Sequence, residues 1–185
     1  DKHCSSSANI LHIIDTTGPG GAETIFIQIA DLIRSQGFNS TVVIRGPGWV
    51  RDELIRRGIQ PIVLEAKGSF NVQFLWGLVR LIRAQKIDLI HSHLLGSNVY
   101  AALAGLLARV PVVATYHGMV DVNPQERFRK IKHLAMKWGI TRYVVVSKSL
   151  FEDIQKQGLL NPSKTEVIYN GINIGRYAKN QEQAI

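Results

Sequence analysis

Three short runs in this chain place glycine, histidine and carboxylate where a bound anion could be handled. Thr16-Thr17-Gly18-Pro19-Gly20-Gly21-Ala22-Glu23 follows directly on the apolar run Ile10 to Asp15. Gly20 and Gly21 let backbone approach a ligand closely, and a helix opening there presents free N–H groups to an anion. Glu23 then falls in the first helical turn, where the helix dipole favours a carboxylate. A plain strand-to-helix turn would use the same glycines. The loop matches a dinucleotide fingerprint at Gly18 and Gly20, but the third glycine of G-x-G-x-x-G is replaced by Glu23. The acid that would hold a ribose hydroxyl is replaced by Arg45, so a nicotinamide site survives only as an NADP variant.

The second run is Asp88-Leu89-Ile90-His91-Ser92-His93. On a strand the two histidines point to one side. His91 reads as a packed, hydrogen-bonded ring, and His93 as the functional one at the rim. The third run, Thr115-Tyr116-His117-Gly118, ends an apolar segment with a histidine followed by glycine, a pattern that lets the ring project into a crevice. A capping or surface histidine is the alternative. His91, His93 and His117 lack any supporting carboxylate or thiolate spacing, so no metal site is expected. Ser147 and Ser149 follow another apolar segment, as helix caps or as donors to a ligand.

These residues sit at the ends of regularly alternating elements. Asn9 to Asp15, Ser40 to Arg45, Gln60 to Glu65, Ile87 to Ser92, Val110 to Tyr116, Arg142 to Val146 and Thr165 to Ile168 are short runs rich in Val, Ile and Leu. Helical patterns separate them. The first places Ile25, Phe26, Ile29, Leu32 and Ile33 on one stripe and stops at Gly37. Others fall near Trp49 to Arg57, Asn71 to Gln85, Ser97 to Arg109, Gln125 to Trp138 and Ser149 to Lys156. Strands this apolar, alternating strictly with helices, predict an α/β fold with a doubly wound parallel sheet of about seven strands. Ligands of such sheets bind at the carboxyl ends of the strands, where the strand order reverses. All three runs lie at carboxyl ends.

Composition excludes several functions. The 185 residues suffice for one well-packed domain. The longest apolar stretch, Val99 to Ala108, is about half the roughly 20 residues that span a bilayer. Residues 1–9 are polar, read as a flexible lead-in, and do not resemble a secretory signal. The single cysteine, Cys4, excludes an internal disulfide and fits the cytoplasm. A net charge of +8 favours anionic partners. No zinc-finger spacing or RNA-binding strand motif accompanies it, so specific nucleic-acid binding is not expected. From Gln125 to Trp138, a helix would carry Phe128, Ile131, Leu134, Ala135 and Trp138 on one stripe among Arg127, Arg129, Lys130, Lys132 and Lys137. Such a stripe either packs on the sheet with its charges in water, or belongs to a basic amphipathic helix suited to an anionic membrane surface.

Taken in order, the motifs resemble the N-terminal domain of a GT-B glycosyltransferase of family 4. Gly20-Gly21-Ala22-Glu23 matches that family's G-G-x-E loop, Asp88 to His93 its D-x-x-H-x-H strand end, and Thr115 to Gly118 its T-x-H-G. Val146-Ser147 matches its V-S element, and Val167 to Asn173 its passage to a second domain, with Asn173 where Asp is usual. The resemblance implies a Rossmann-like domain over residues 10–173, one half of a GT-B fold, with Asn170 and Gly171 as hinge and 174–185 opening the linker. It implies retaining transfer of a sugar from a nucleotide-sugar, held mostly by a C-terminal domain, to a glycan, lipid or small-molecule acceptor. His117 would contact the transferred sugar as the catalytic residue; Gly20, Gly21, Glu23, His93, Thr115, Gly118 and Ser147 would line the donor and acceptor sites. No cofactor is implied in this domain, and a lipid-linked acceptor would place the protein peripherally on the cytoplasmic face of a membrane. A non-catalytic sugar- or anion-binding module is the alternative from a different class.

Overall fold

The computed structural model describes residues 7–65, 70–118, 121 and 128–171. Its strands are β1 (Asn9–Ile14), β2 (Asn39–Ile44), β3 (Ile62–Val63), β4 (Leu89–His93), β5 (Val112–Tyr116), β6 (Arg142–Val145) and β7 (Thr165–Val167). Between them run α1 (Gly21–Ser35), α2 (Trp49–Arg56), α3 (Val72–Ala84), α4 (Leu95–Ala108), α5 (Arg129–Gly139) and α6 (Lys148–Lys156). All strands pair in parallel, in the order β3-β2-β1-β4-β5-β6-β7. This is the doubly wound, Rossmann-like sheet expected from the sequence, with its order reversing between β1 and β4.

Each expected strand is present with one or both ends shifted by a residue or more; β2 starts one residue earlier, at Asn39, and β4 runs one residue further, to His93. β3 shrinks most. Pro61 has no N–H to give a ladder, and the pairing with β2 reduces to Val43–Ile62 and Ile44–Val63. Asn9 belongs to β1 rather than to the lead-in, its N–H donating to Asp88 Oδ2 at 2.8 Å. Of the helix expected from Gln125, residues 125–127 lie outside the described residues, as do Cys4, Asn173 and the linker 174–185.

Two apolar layers sandwich the sheet. On one face Leu11, Ile13, Ile90, Ala114 and Val145 pack against α3, α4, α5 and α6 through residues such as Leu78, Ala101, Met136 and Ile154. On the other, Ile14, Val42 and Ile44 pack against Phe26, Ile27 and Ala30 of α1 and Val50 and Leu54 of α2. At roughly 25 cal/mol per Å² of apolar surface removed from water, these two layers are the main source of stability.

Two helices depart from the expected packing. The α1 stripe divides: Phe26 is fully buried, whereas Leu32 is 58% exposed. That helix sits at the border of the covered face, with one flank on β1 and β2 and the other bordering an open cleft over β4 to β6. α5 is turned outward. It buries Met136 and Gly139, while Ile131, Leu134 and Trp138 face solvent.

Candidate functional site

Two helices begin beside the reversal in strand order, and their N-termini are treated differently. α1 has Gly20 as N-cap, with no side chain bonded to it. Its first intrahelical bond runs from Thr24 N–H to the Gly20 carbonyl, so the N–H groups of Gly21, Ala22 and Glu23 have no intrahelical partner. A methyl group added at Gly21 would meet no atom within 4 Å, whereas one at Gly20 would run into the Glu23 carboxylate. Glu23 folds back over the turn, buried, and accepts from Thr16 Oγ1 at 2.5 Å. Gly20 is therefore needed to seat Glu23, and Gly21 to keep the helix end open.

α4 is closed by two carboxylates. Asp121 Oδ1 accepts from Leu95 N–H at 2.9 Å and its Oδ2 from His117 N–H at 2.7 Å. Asp15, at the end of β1, is bonded to the Ser97 backbone. Burial pushes the Asp121 carboxyl up to about 6 and raises that of Asp15. The turn into α4 is strained at Leu94, whose φ of 71° and ψ of 156° belong to a region that only glycine reaches freely. The α4 N-terminus is thus met by carboxylates, whereas the first-turn N–H groups of α1 have no intrahelical partner.

Between these helix ends runs a row of histidines. His12 of β1, His91 and His93 of β4, and His117 after β5 have successive ring centroids 5.7, 4.3 and 5.2 Å apart. His93 Nδ1 and His117 Nε2 lie 2.9 Å apart, a hydrogen bond. His91 Nε2 bonds Thr115 Oγ1 at 2.9 Å. Both ring nitrogens of His12, Nε2 of His93 and Nδ1 of His117 are without a protein partner. Burial pulls His12 down to about 3 and His91 and His117 down to about 4, with Glu23 opposing the fall at His117; His93 is lowered as well. All four rings are thus neutral near pH 7. Among the described residues no group of three or more His, Cys, Asp or Glu side chains could hold a metal ion.

The expected residues gather with two corrections. His93 is not at the rim: it is fully buried, in T-shaped contact with Phe26, and hydrogen-bonded to His117. Thr115 is also nearly buried, its hydroxyl spent on His91 and its carbonyl facing the Leu94 and Asn98 donors. His117 and Gly118 remain partly exposed, and His117 lies within electrostatic reach of Glu23 in the first turn of α1. Ser147 is the N-cap of α6, accepting from Leu150 N–H at 3.2 Å. Arg45, weighed above as a 2′-phosphate ligand, lies with its guanidinium 5.5 Å from the Phe74 ring and 5.7 Å from that of Tyr100. Asn170 and Gly171 are exposed after β7 and border a cleft of about 480 Å³ that also touches His91 and Thr115. Asp15 and Asp121 escaped the sequence reading. The signal for Asp121 was there, an acid four residues beyond His117 with a glycine between.

The sequence profile of Glycosyltransferase Family 4 matches residues 19–176. Over 189 residues the chain is 24% identical to the UDP-Gal:alpha-D-GlcNAc-diphosphoundecaprenol alpha-1,3-galactosyltransferase of Escherichia coli, covering 96% of this chain and 48% of that protein. It is 27% identical over 179 residues to the capsular polysaccharide biosynthesis glycosyltransferase CapH of Staphylococcus aureus, covering 92% and 49%. Among solved structures, Anabaena HepE in complex with UDP and glucose has a TM-score of 0.78 at 22% identity, covering 96% of this chain and 50% of that one. The chain therefore spans about half the length of the curated relatives it matches.

Proposed function

The chain belongs to glycosyltransferase family 4, as the N-terminal half of a GT-B fold, and we propose that it forms the acceptor-side wall of a retaining, nucleotide-sugar-dependent enzyme. The observation that carries this reading is the open N-terminus of α1 facing neutral His117 across the β1/β4 reversal. A donor diphosphate would meet the N–H groups of Gly21, Ala22 and Glu23, while the sugar lies towards His117. The UDP-Gal named for the Escherichia coli relative and the UDP bound to HepE support a UDP-hexose as donor. The diphosphoundecaprenol acceptor of the former supports a lipid-diphosphate-linked glycan as acceptor. With such an acceptor the reaction would run at an anionic membrane surface, on the cytoplasmic side in this reading.

Transfer breaks the bond between C1 of the sugar and the diphosphate oxygen and forms one from C1 to the acceptor oxygen on the same face. The acceptor proton passes to the departing diphosphate, so no protein nucleophile is required. Stabilising that developing negative charge is the largest electrostatic task, and the α1 terminus supplies part of it. His117 works as a neutral hydrogen-bonding group, since burial removes its charge. The hydrogen bond between His93 Nδ1 and His117 Nε2 fixes the His117 ring at the edge of the crevice, beside the sugar. Most of the diphosphate contacts belong to the other half, so residues 1–185 alone carry little or no turnover.

In the whole protein, His117→Ala lowers turnover by roughly tenfold to a thousandfold, the range for loss of one electrostatic donor. Full turnover in a folded His117→Ala protein overturns the catalytic assignment. Product whose anomeric configuration is inverted relative to the donor, read by NMR, overturns the retaining one.

A further inference from the structure

In a doubly wound domain an outer helix ordinarily turns its largest apolar side chains toward the sheet. α5 does the reverse. Its inward face is small or slender: Gly139 sits against the Ala102 carbonyl of α4 so closely that a Cβ would collide with it, and Met136 reaches the Tyr116 hydroxyl at 3.6 Å. Its outward face carries Ile131, Leu134 and Trp138, which are 67%, 57% and 71% exposed. Spacings of three and four residues place them on one side of the helix.

The charges share that surface. α5 contains Arg129, Lys130, Lys132 and Lys137 and no Asp or Glu. Beside it, between Trp138 and the connection after α6, opens a cleft of about 660 Å³. Lys130, Lys137 and Lys164 line this cleft, and no carboxylate does. Exposed aliphatic side chains, an indole and unopposed lysines together ask for a partner that offers hydrocarbon and negative charge in adjacent layers. A nucleic acid offers the charge alone. A bilayer with anionic headgroups offers both, and Trp with Lys is the pairing that settles at its interface.

We propose that the outward face of α5 is a membrane-docking surface. Ile131, Leu134 and Trp138 enter the headgroup and acyl boundary, and Lys130, Lys137 and Lys164 engage anionic lipid headgroups around the adjoining cleft. The proposal deepens the lipid-linked-acceptor reading, because α5 directly follows the loop that carries His117 and Asp121. It is independent of transfer as a measurement, since vesicle binding is read without turnover.

The test is flotation of the whole protein with vesicles of equimolar phosphatidylglycerol and phosphatidylcholine, against phosphatidylcholine alone, across a salt series. Binding is expected to the anionic vesicles and to weaken with salt. Lys130→Ala and Lys137→Ala should each lower partitioning about fivefold, equivalent to about 1 kcal/mol per lysine. Ile131→Ser with Leu134→Ser should lower it at least as far. Brominated acyl chains should quench fluorescence that is lost in Trp138→Phe, a readout that stands even if a serine variant folds poorly. Equal failure to bind both vesicle types at low salt overturns the proposal. So does binding that ignores the α5 substitutions but is lost in Trp76→Ser on α3, or Trp138 that stays unquenched while the protein floats. Turnover on a water-soluble acceptor without vesicle binding removes the docking and leaves the enzymatic reading. Vesicle binding without any transfer does the opposite.

Discussion

Acidification from pH 6 to pH 5 should destabilise this domain, chiefly through its histidine row, with His133 shifted in the same direction. His12, His91 and His117 have folded pKa values of about 3, 4 and 4, and that of His93 is also lowered, against 6.5 for the unfolded chain. In that interval the unfolded chain carries protons on these rings that folded His12, His91 and His117 largely lack, with His93 shifted in the same direction, so stability is complete above about 6.5 and falls as pH falls. Asp121 acts oppositely: its folded value of about 6 against 3.8 unfolded means that the folded state binds the extra proton. Asp15 shifts in the same direction as Asp121. From His12, His91, His117 and Asp121 alone the net excess is about two protons on the unfolded side. At about 1.4 kcal/mol per proton per pH unit, stability should drop by about 3 kcal/mol between pH 6 and pH 5. A domain this size has roughly 5–15 kcal/mol in all, so the loss should be plain in urea midpoints. His12→Phe isolates one contribution, since that ring is fully buried with neither nitrogen bonded to protein. The variant should fold at pH 7 and reduce the pH slope by about one proton. A midpoint unchanged between pH 7 and pH 5, or a His12→Phe slope equal to that of the wild type, would refute the buried, neutral row.

Two glycine comparisons test the packing. Gly20→Ala must displace the Glu23 carboxylate from its buried bond with Thr16, costing about 1–3 kcal/mol in chemical denaturation, whereas Gly21→Val leaves stability within roughly 1 kcal/mol and lowers kcat/KM by filling the open end of α1. Gly139→Ala should destabilise by about 1–3 kcal/mol because its methyl group overlaps the Ala102 carbonyl of α4, while Gly77→Ala, at a helical site with open space around it, should stabilise by about 0.5–1 kcal/mol; thermal melts in which the two shift alike would contradict that packing.

The strands were legible because their apolar runs are continuous and punctuated, and the parallel sheet followed from their alternation with helices. Harder to read was the environment of a side chain whose position along the strand was already clear. His93 ends β4, as the spacing indicates, yet it is buried because α1 lays Phe26 across it, a contact set by helix packing and not by local pattern. The orientation of α5 was illegible for a related reason. A stripe of Ile131, Leu134 and Trp138 specifies which residues share a face, and only the close approach of Gly139 to α4 decides which way that face looks. Asp121 was missed because its purpose is to hold two backbone N–H groups from different loops, and such a partnership has no sequence period.

The strained corner at Leu94 has a mechanical implication. A backbone pair of φ 71° and ψ 156° in a leucine stores on the order of 1–3 kcal/mol and persists only while its surroundings hold it. One clamp is Asp121, which grips Leu95 N–H on one side of its carboxylate and His117 N–H on the other. The β4–α4 corner and the backbone at His117 are therefore tied to one shared carboxylate. Displacing Asp121 loosens the corner and the backbone of His117 together.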